Sequence, residues 1–178
     1  MTAGIVLAAG LGRRMGRPKA EILVDGTRLL DRATTALREA GCEPVVAVVR
    51  AGVESDAITV VNPDPARGMR SSLEVGLRAV RAVDAVAVIL VDMPGLTCDA
   101  IAEVVRRWRP GRIAVGSSGG RRTHPTVMSP DRWHEAVQLA GPDEGARRYL
   151  ASHGDLVDEI PLEIDPADLD TPEDLARW

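Results

Sequence analysis

The chain has 178 residues, 45% of them apolar and 27% charged, a globular composition that excludes wholesale disorder. Its 22 basic and 26 acidic residues leave a net charge of −4, so no broad contact with nucleic acid or with an anionic membrane surface is expected. The longest apolar run, at 85–91, is far short of the about 20 residues that span a bilayer, no basic segment precedes the first apolar stretch, and Cys42 and Cys98 are too few for a disulfide framework, so the expectation is a cytoplasmic protein with reduced thiols and a single domain over 1–178.

Short β-branched runs alternate with helical periods. Residues 5–8 read as a first strand, followed by a glycine-rich loop that reaches Lys19. Residues 28–40 read as an amphipathic helix with Leu29, Leu30, Ala33 and Leu37 on one side, stopped by Gly41. The run at 45–49 lacks polar alternation, as in a strand covered on both faces. Residues 58–61 form another strand, closed by Asn62-Pro63, and 71–83 a helix carrying Leu73, Leu77 and Val80. The most apolar strand, 86–91, runs into Asp92-Met93-Pro94-Gly95. Thr97 opens a helix with Ile101, Val104, Val105 and Trp108. Residues 112–115 read as a strand, 117–120 as a flexible loop and 126–128 as a short strand. Ser129 caps a helix with Pro130 at its first position and Trp133, Val137 and Leu139 along it. A further helix covers 144–153 and a late strand 156–160, and Thr171 with Asp174 forms the capping box of a terminal helix.

Single helices between strands imply right-handed crossovers, hence an α/β fold whose mostly parallel sheet carries helices on both faces. In such sheets a ligand sits beyond the carboxyl ends of the strands, where the winding reverses, so the site is expected after Ala8, Val61 and Val91.

The loop reads Leu7-Ala8-Ala9-Gly10-Leu11-Gly12-Arg13-Arg14-Met15-Gly16-Arg17-Pro18-Lys19. Its glycines let backbone N–H groups approach an anion, and Arg13, Arg14, Arg17 and Lys19, the only lysine of the chain, add positive charge. This is a cradle for a triphosphate. It is not the dinucleotide fingerprint, because Met15 stands where the third glycine belongs, nor a Walker A loop, because Ala20 follows Lys19.

The loop resembles the LAAGxGxRMGxPK signature of the MobA-like nucleotidyltransferases at every defined position. The resemblance implies a three-layer αβα sandwich with a Rossmann-like sheet of the nucleotide-diphospho-sugar transferase type. It implies transfer of a nucleoside monophosphate to a phosphorylated acceptor, with release of pyrophosphate. Leu7, Ala8, Ala9, Gly10 and Gly12 then bind the nucleotide, and Arg13 and Lys19 hold its phosphates. Asn62 and the segment Gly68-Met69-Arg70-Ser71-Ser72-Leu73 resemble the family's nucleotide-binding turn, in which Gly68, Ser71 and Ser72 are the candidates. A charge at the end of the most apolar strand is costly unless it is paired or coordinates a metal, and a carboxylate there suits Mg²⁺. The family places its metal-binding aspartate at the position of Asp92, and its terminal D-x-[DN]-T-P-E-D-L stretch points to Asp170 as a second ligand, with Asp165 the other candidate. His124-Pro125 resembles the turn that lines the acceptor side, and residues 143–147 match a segment near the same pocket.

Ala8-Ala9-Gly10 is similar to the branch that transfers CMP from CTP to molybdopterin, on the reasoning that Ala9 leaves less room beside the base than glycine would. A guanylyltransferase using GTP, an enzyme acting on another phosphorylated acceptor such as a sugar phosphate, and a non-catalytic nucleotide-binding module that delivers the cofactor are the alternatives. Delivery of the product to a molybdenum hydroxylase or its maturation factor is what the resemblance implies for partners.

Overall fold

The computed structural model describes residues 1–12 and 14–178; Arg13 lies outside the described residues. Strands β1 (Thr2–Leu7), β2 (Leu23–Val24) and β3 (Thr27–Arg28) lead into α1 (Leu29–Glu39), followed by β4 (Val45–Val49), β5 (Ile58–Val61) and α2 (Met69–Ala79). Next come β6 (Ala85–Leu90), α3 (Cys98–Arg107), β7 (Ile113–Ser118), β8 (Arg121–Met128), α4 (Pro130–Leu139), α5 (Arg147–Ser152), β9 (Val157–Pro161) and α6 (Pro172–Leu175). Strands β2 and β3 form a small hairpin; the other seven form one sheet in the order β5-β4-β1-β6-β8-β7-β9. All neighbours pair in parallel except those of β8, which runs against both β6 and β7.

The continuous apolar runs are explained by two cores, one on each face of the sheet. Val6, Ala47, Val49 and Ile89 pack with Leu30 and Leu37 of α1 and Ile101 and Val104 of α3. Their strand neighbours Ile5, Leu7, Val46 and Val48 point the other way, onto Leu73 and Leu77 of α2, Trp133 and Val137 of α4 and Tyr149 and Leu150 of α5. Alternation of side chains along each strand therefore serves two apolar layers rather than one apolar and one wet face. Among the described residues no helix is long and apolar enough to cross a membrane.

Several local expectations are revised. The segment 117–120 is a tight hairpin: β7 continues to Ser118, Gly119 and Gly120 turn with φ of 56° and 75°, and β8 begins at Arg121. Ser129 stands at the start of α4 without a side-chain capping bond, and Leu139 is exposed. The helix expected over 144–153 begins only at Arg147. The Thr171–Asp174 capping box is present.

Trp133 is the largest fully buried side chain, and its indole Nε1 donates to the Val86 carbonyl of β6 at 2.8 Å. This bond fastens α4 to the middle of the sheet. Trp133→Phe removes the donor and leaves a small void, so stability is expected to fall by about 2 kcal/mol. For a chain of this length that is roughly 4–8 °C in the thermal midpoint. An unchanged midpoint would remove the bond from the account of the core.

Candidate active site

The chain winds from β1 out to β5 on one side and returns on the other side of β1 with β6. The winding therefore reverses between β1 and β6, whose ends are level, with Leu7 opposite Leu90. Beyond that edge lies a cleft of about 450 Å³. The glycine loop leaves β1 on one side of it and Asp92 leaves β6 on the other. This is the place at which open α/β sheets bind ligands.

The loop's two inner glycines serve different ends. Gly12 has φ of 56°, and a Cβ there would run into the Arg17 carbonyl, so its hydrogen is required by the fold of the loop itself. Gly10 has no atom within 4 Å of where a Cβ would stand and it lines the cleft, leaving its backbone open to a ligand. Leu7, Ala9, Arg14 and Lys19 line the same cleft. Ala8 is 1% exposed and packs beneath the loop in the α1–α3 core. Ala9 is equally buried, packed with Leu7 and Leu73. It stands where the core meets the cleft, packed in the core on one side and lining the cleft on the other.

Lys19 closes the loop inside the cleft. Its Nζ donates to Asp92 Oδ2 at 2.7 Å and also to Asp170 Oδ1. Burial opposes the charge of Lys19, but Asp92 and Asp170 outweigh it and hold the ammonium above the ordinary lysine pKa. The acids come from far along the chain. Leu169, fully buried, donates its N–H to the Asp92 carbonyl at 2.7 Å, which lays the terminal segment across the end of β6. The α6 capping box then fixes Asp170, whose N–H donates to Asp174 Oδ2 at 3.0 Å. Arg14 stands at the rim, 3.9 Å from the other Asp170 oxygen.

Asp92 Oδ1 is buried and bonds to none of the described residues. An unsatisfied carboxylate oxygen in a buried position is expensive. With Asp170 beside it, this oxygen fits a hard cation of the Mg²⁺ type that takes one or two carboxylates and completes its shell with water and phosphate oxygens. Among the described residues no group of three or more His, Cys, Asp or Glu side chains could hold a metal by itself. Asp165 is engaged elsewhere, with Arg177 at 3.0 Å and the Ala167 N–H.

Opposite the glycine loop, the cleft is lined by Pro65, Ala66, Gly68, Met69, Ser72 and Asp143. Asn62 is behind this wall, 3% exposed. Its Nδ2 donates to Ser71 Oγ and Ser72 Oγ, both at 2.9 Å, and its Oδ1 accepts from the Asp64 N–H. Ser71 donates back to the Gly68 carbonyl at 2.8 Å. Asn62 and Ser71 therefore brace the turn from behind, while Gly68 and Ser72 face the cleft.

A second cavity of about 700 Å³ adjoins the first and shares Leu7, Met69, Leu90 and Asp143 with it. His124 lines it and bonds through Nδ1 to the Val88 carbonyl at 3.1 Å. A carbonyl only accepts, so Nδ1 carries the proton of the neutral ring and Nε2 is left as an acceptor. Burial pushes the His124 pKa below its usual value, against the Val88 bond and the Asp92 charge. Arg121 and Arg147 line the same cavity. Asp168, not singled out from the sequence, also lines it; burial first, then Asp92 and Asp170, push its carboxyl up to about 6, with Lys19 opposing. Its signal was the i, i+2 spacing to Asp170, which in an extended segment puts two acids on one side.

A family model described as the MobA-like NTP transferase domain matches residues 4–157. A protein named nicotine blue oxidoreductase from Paenarthrobacter nicotinovorans is 34% identical over 98% of this chain and 94% of its own length. A probable molybdenum cofactor guanylyltransferase from Opitutus terrae is 38% identical over 64% of this chain and 58% of its own length. Among solved structures, Rv0371c from Mycobacterium tuberculosis H37Rv superimposes with a TM-score of 0.85 at 25% identity, covering 99% of this chain and 96% of that one. A structure of the same protein is a complex with manganese.

Proposed function

Because the chain belongs to the MobA-like NTP transferase family, we propose that it transfers a nucleoside monophosphate from a nucleoside triphosphate, GTP, to a phosphorylated acceptor of the molybdenum cofactor type, releasing pyrophosphate. The observation that carries this reading is the convergence of Lys19, Asp92 and Asp170 at the glycine loop, with one Asp92 oxygen buried and without a partner among the described residues. A phosphate oxygen of the acceptor attacks the α-phosphorus, and the bond to the β-phosphate oxygen breaks. The nucleophile is already anionic, so no general base is required. The protein's work is orientation and neutralisation of crowded negative charge. Backbone N–H groups around Gly10 and the cations Arg13, Arg14 and Lys19 hold the triphosphate, Lys19 exchanging carboxylate oxygens for phosphate oxygens as it does so. Asp92 and Asp170 would hold Mg²⁺, which when bound supplies charge neutralisation at the phosphates; the manganese complex of the Mycobacterium protein supports a divalent ion. Arg121, His124 and Arg147 face the acceptor.

The choice of GTP is supported by the name of the Opitutus relative. The sequence expectation of CTP rested on the resemblance of Ala8-Ala9-Gly10 to the CMP-transferring branch, whereas relatives from Opitutus and Rhizobium are named as guanylyltransferases. Pyrophosphate release is to be measured with molybdopterin and each of GTP, CTP, ATP and UTP in Mg²⁺. GTP is expected to be turned over fastest and, alone of the four, to raise the thermal midpoint strongly, since a ligand that binds only the native state stabilises it by mass action. Faster turnover of CTP would restore the cytidylyl reading. Binding without pyrophosphate release under any combination would favour a delivery module.

A further inference from the structure

The segment 140–145 is fastened to the nucleotide turn. Pro142 accepts the Arg70 N–H at 2.9 Å and Ala140 accepts from the Arg70 guanidinium at 3.2 Å. Gly68 leaves space that a Cβ would take from Asp143 Oδ1. Its neighbour Glu144 is committed to the Gly141 N–H and Arg148, whereas the Asp143 carboxylate bonds to no described group and lines the cleft. Ser72 lines the same cleft and offers the opposite hydrogen-bonding sense. Its oxygen accepts from Asn62 Nδ2, which leaves the hydroxyl proton to be donated into the cleft. Pro65, Ala66 and Met69 supply apolar surface around the two. On the transfer reading the phosphates are held at Gly10 and Lys19, which leaves this wall for the base.

We propose that Asp143 and Ser72 together select guanine, a specificity role that rests on the nucleotide-transfer reading above. The pairing edge of guanine offers one acceptor, O6, and two adjacent donors, N1–H and the 2-amino group. One hydroxyl donor and a two-oxygen carboxylate complement that pattern. Cytosine offers a single amino donor next to the N3 lone pair, which a carboxylate repels. Bidentate pairing of this kind discriminates between bases by about tenfold to a hundredfold.

The test is binding of GTP, ITP and CTP in Mg²⁺, measured calorimetrically without acceptor. ITP keeps O6 and N1–H but lacks the 2-amino group. The wild-type chain is expected to bind GTP about tenfold more tightly than ITP, and CTP more weakly than GTP by up to about a hundredfold. In Asp143→Asn, GTP binding weakens about tenfold and the gap between GTP and ITP closes. In Ser72→Ala both purine nucleotides weaken together and the gap persists. Equal affinity of the wild type for GTP and ITP, tighter binding of CTP, or a gap undiminished in Asp143→Asn would overturn the assignment. This binding pattern with no pyrophosphate release from any acceptor would instead overturn the transfer reading and leave base selection standing.

Discussion

Asp92→Asn is expected to lower kcat for pyrophosphate release by about 10²–10³ while leaving the fold intact, a loss comparable to that of one preorganised charge-stabilising contact. The amide keeps the size of the side chain and one acceptor oxygen. It removes the charge that draws Lys19 to 2.7 Å and replaces one carboxylate oxygen, so a cation between Asp92 and Asp170 loses half of its protein-derived charge. Stability should change little, because Lys19 retains Asp170 as a partner. The measurement is single-turnover kinetics alongside the thermal midpoint, with Mg²⁺ titrated in both proteins. The variant should need more metal to reach its lower maximum. Turnover within a few-fold of wild type would remove Asp92 from the chemistry.

Gly68→Ala is expected to damage both stability and nucleotide affinity. Gly68 has φ of 87° and ψ of −176°, a conformation essentially confined to glycine. A Cβ there would also meet the Pro142 carbonyl and the Asp143 carboxylate, and the former is backbone that cannot rotate aside. Strain of this kind costs about 1–3 kcal/mol before any collision is counted. Relief requires the turn at 65–69 to part from segment 140–143, which opens the wall of the cleft, so GTP affinity should fall at least about tenfold, taking 1.4 kcal/mol per decade. Gly111→Ala separates the two effects. Gly111 has φ of 79°, open space where a Cβ would stand, and no part in the cleft. It should lose only about 1 kcal/mol of stability and no affinity. If Gly68→Ala behaves like Gly111→Ala, the contact between the two segments does not shape the site.

The strands β4 and β6 were legible to within a residue because a run that is apolar on both faces leaves few other readings, and the exposed edge strand β5 was legible from its β-branched run closed by Asn62-Pro63. The glycine-rich loop was legible because its glycines and cations lie close together in sequence. Asp92 was legible because a charge closes the most apolar strand. The hairpin at 119–120 was misread because two glycines look like flexibility unless the reversed direction of β8 is known. Asp168 was passed over because nine-acid tails are usually solvated surface, and only Leu169 anchoring to the Asp92 carbonyl turns this one inward.

Residue order alone thus settled the fold class and the placing of the glycine-rich loop after β1 and of the acid after β6, since each depends on groups that are neighbours along the chain. The closing of the site was settled only in three dimensions. Lys19 meets carboxylates 73 and 151 positions away, and Asp143 reaches a turn at Gly68. Such contacts follow from strand order, from which face of the sheet each helix covers and from where the last segment crosses, and these are fixed by burial of the two cores rather than by any local pattern of residues.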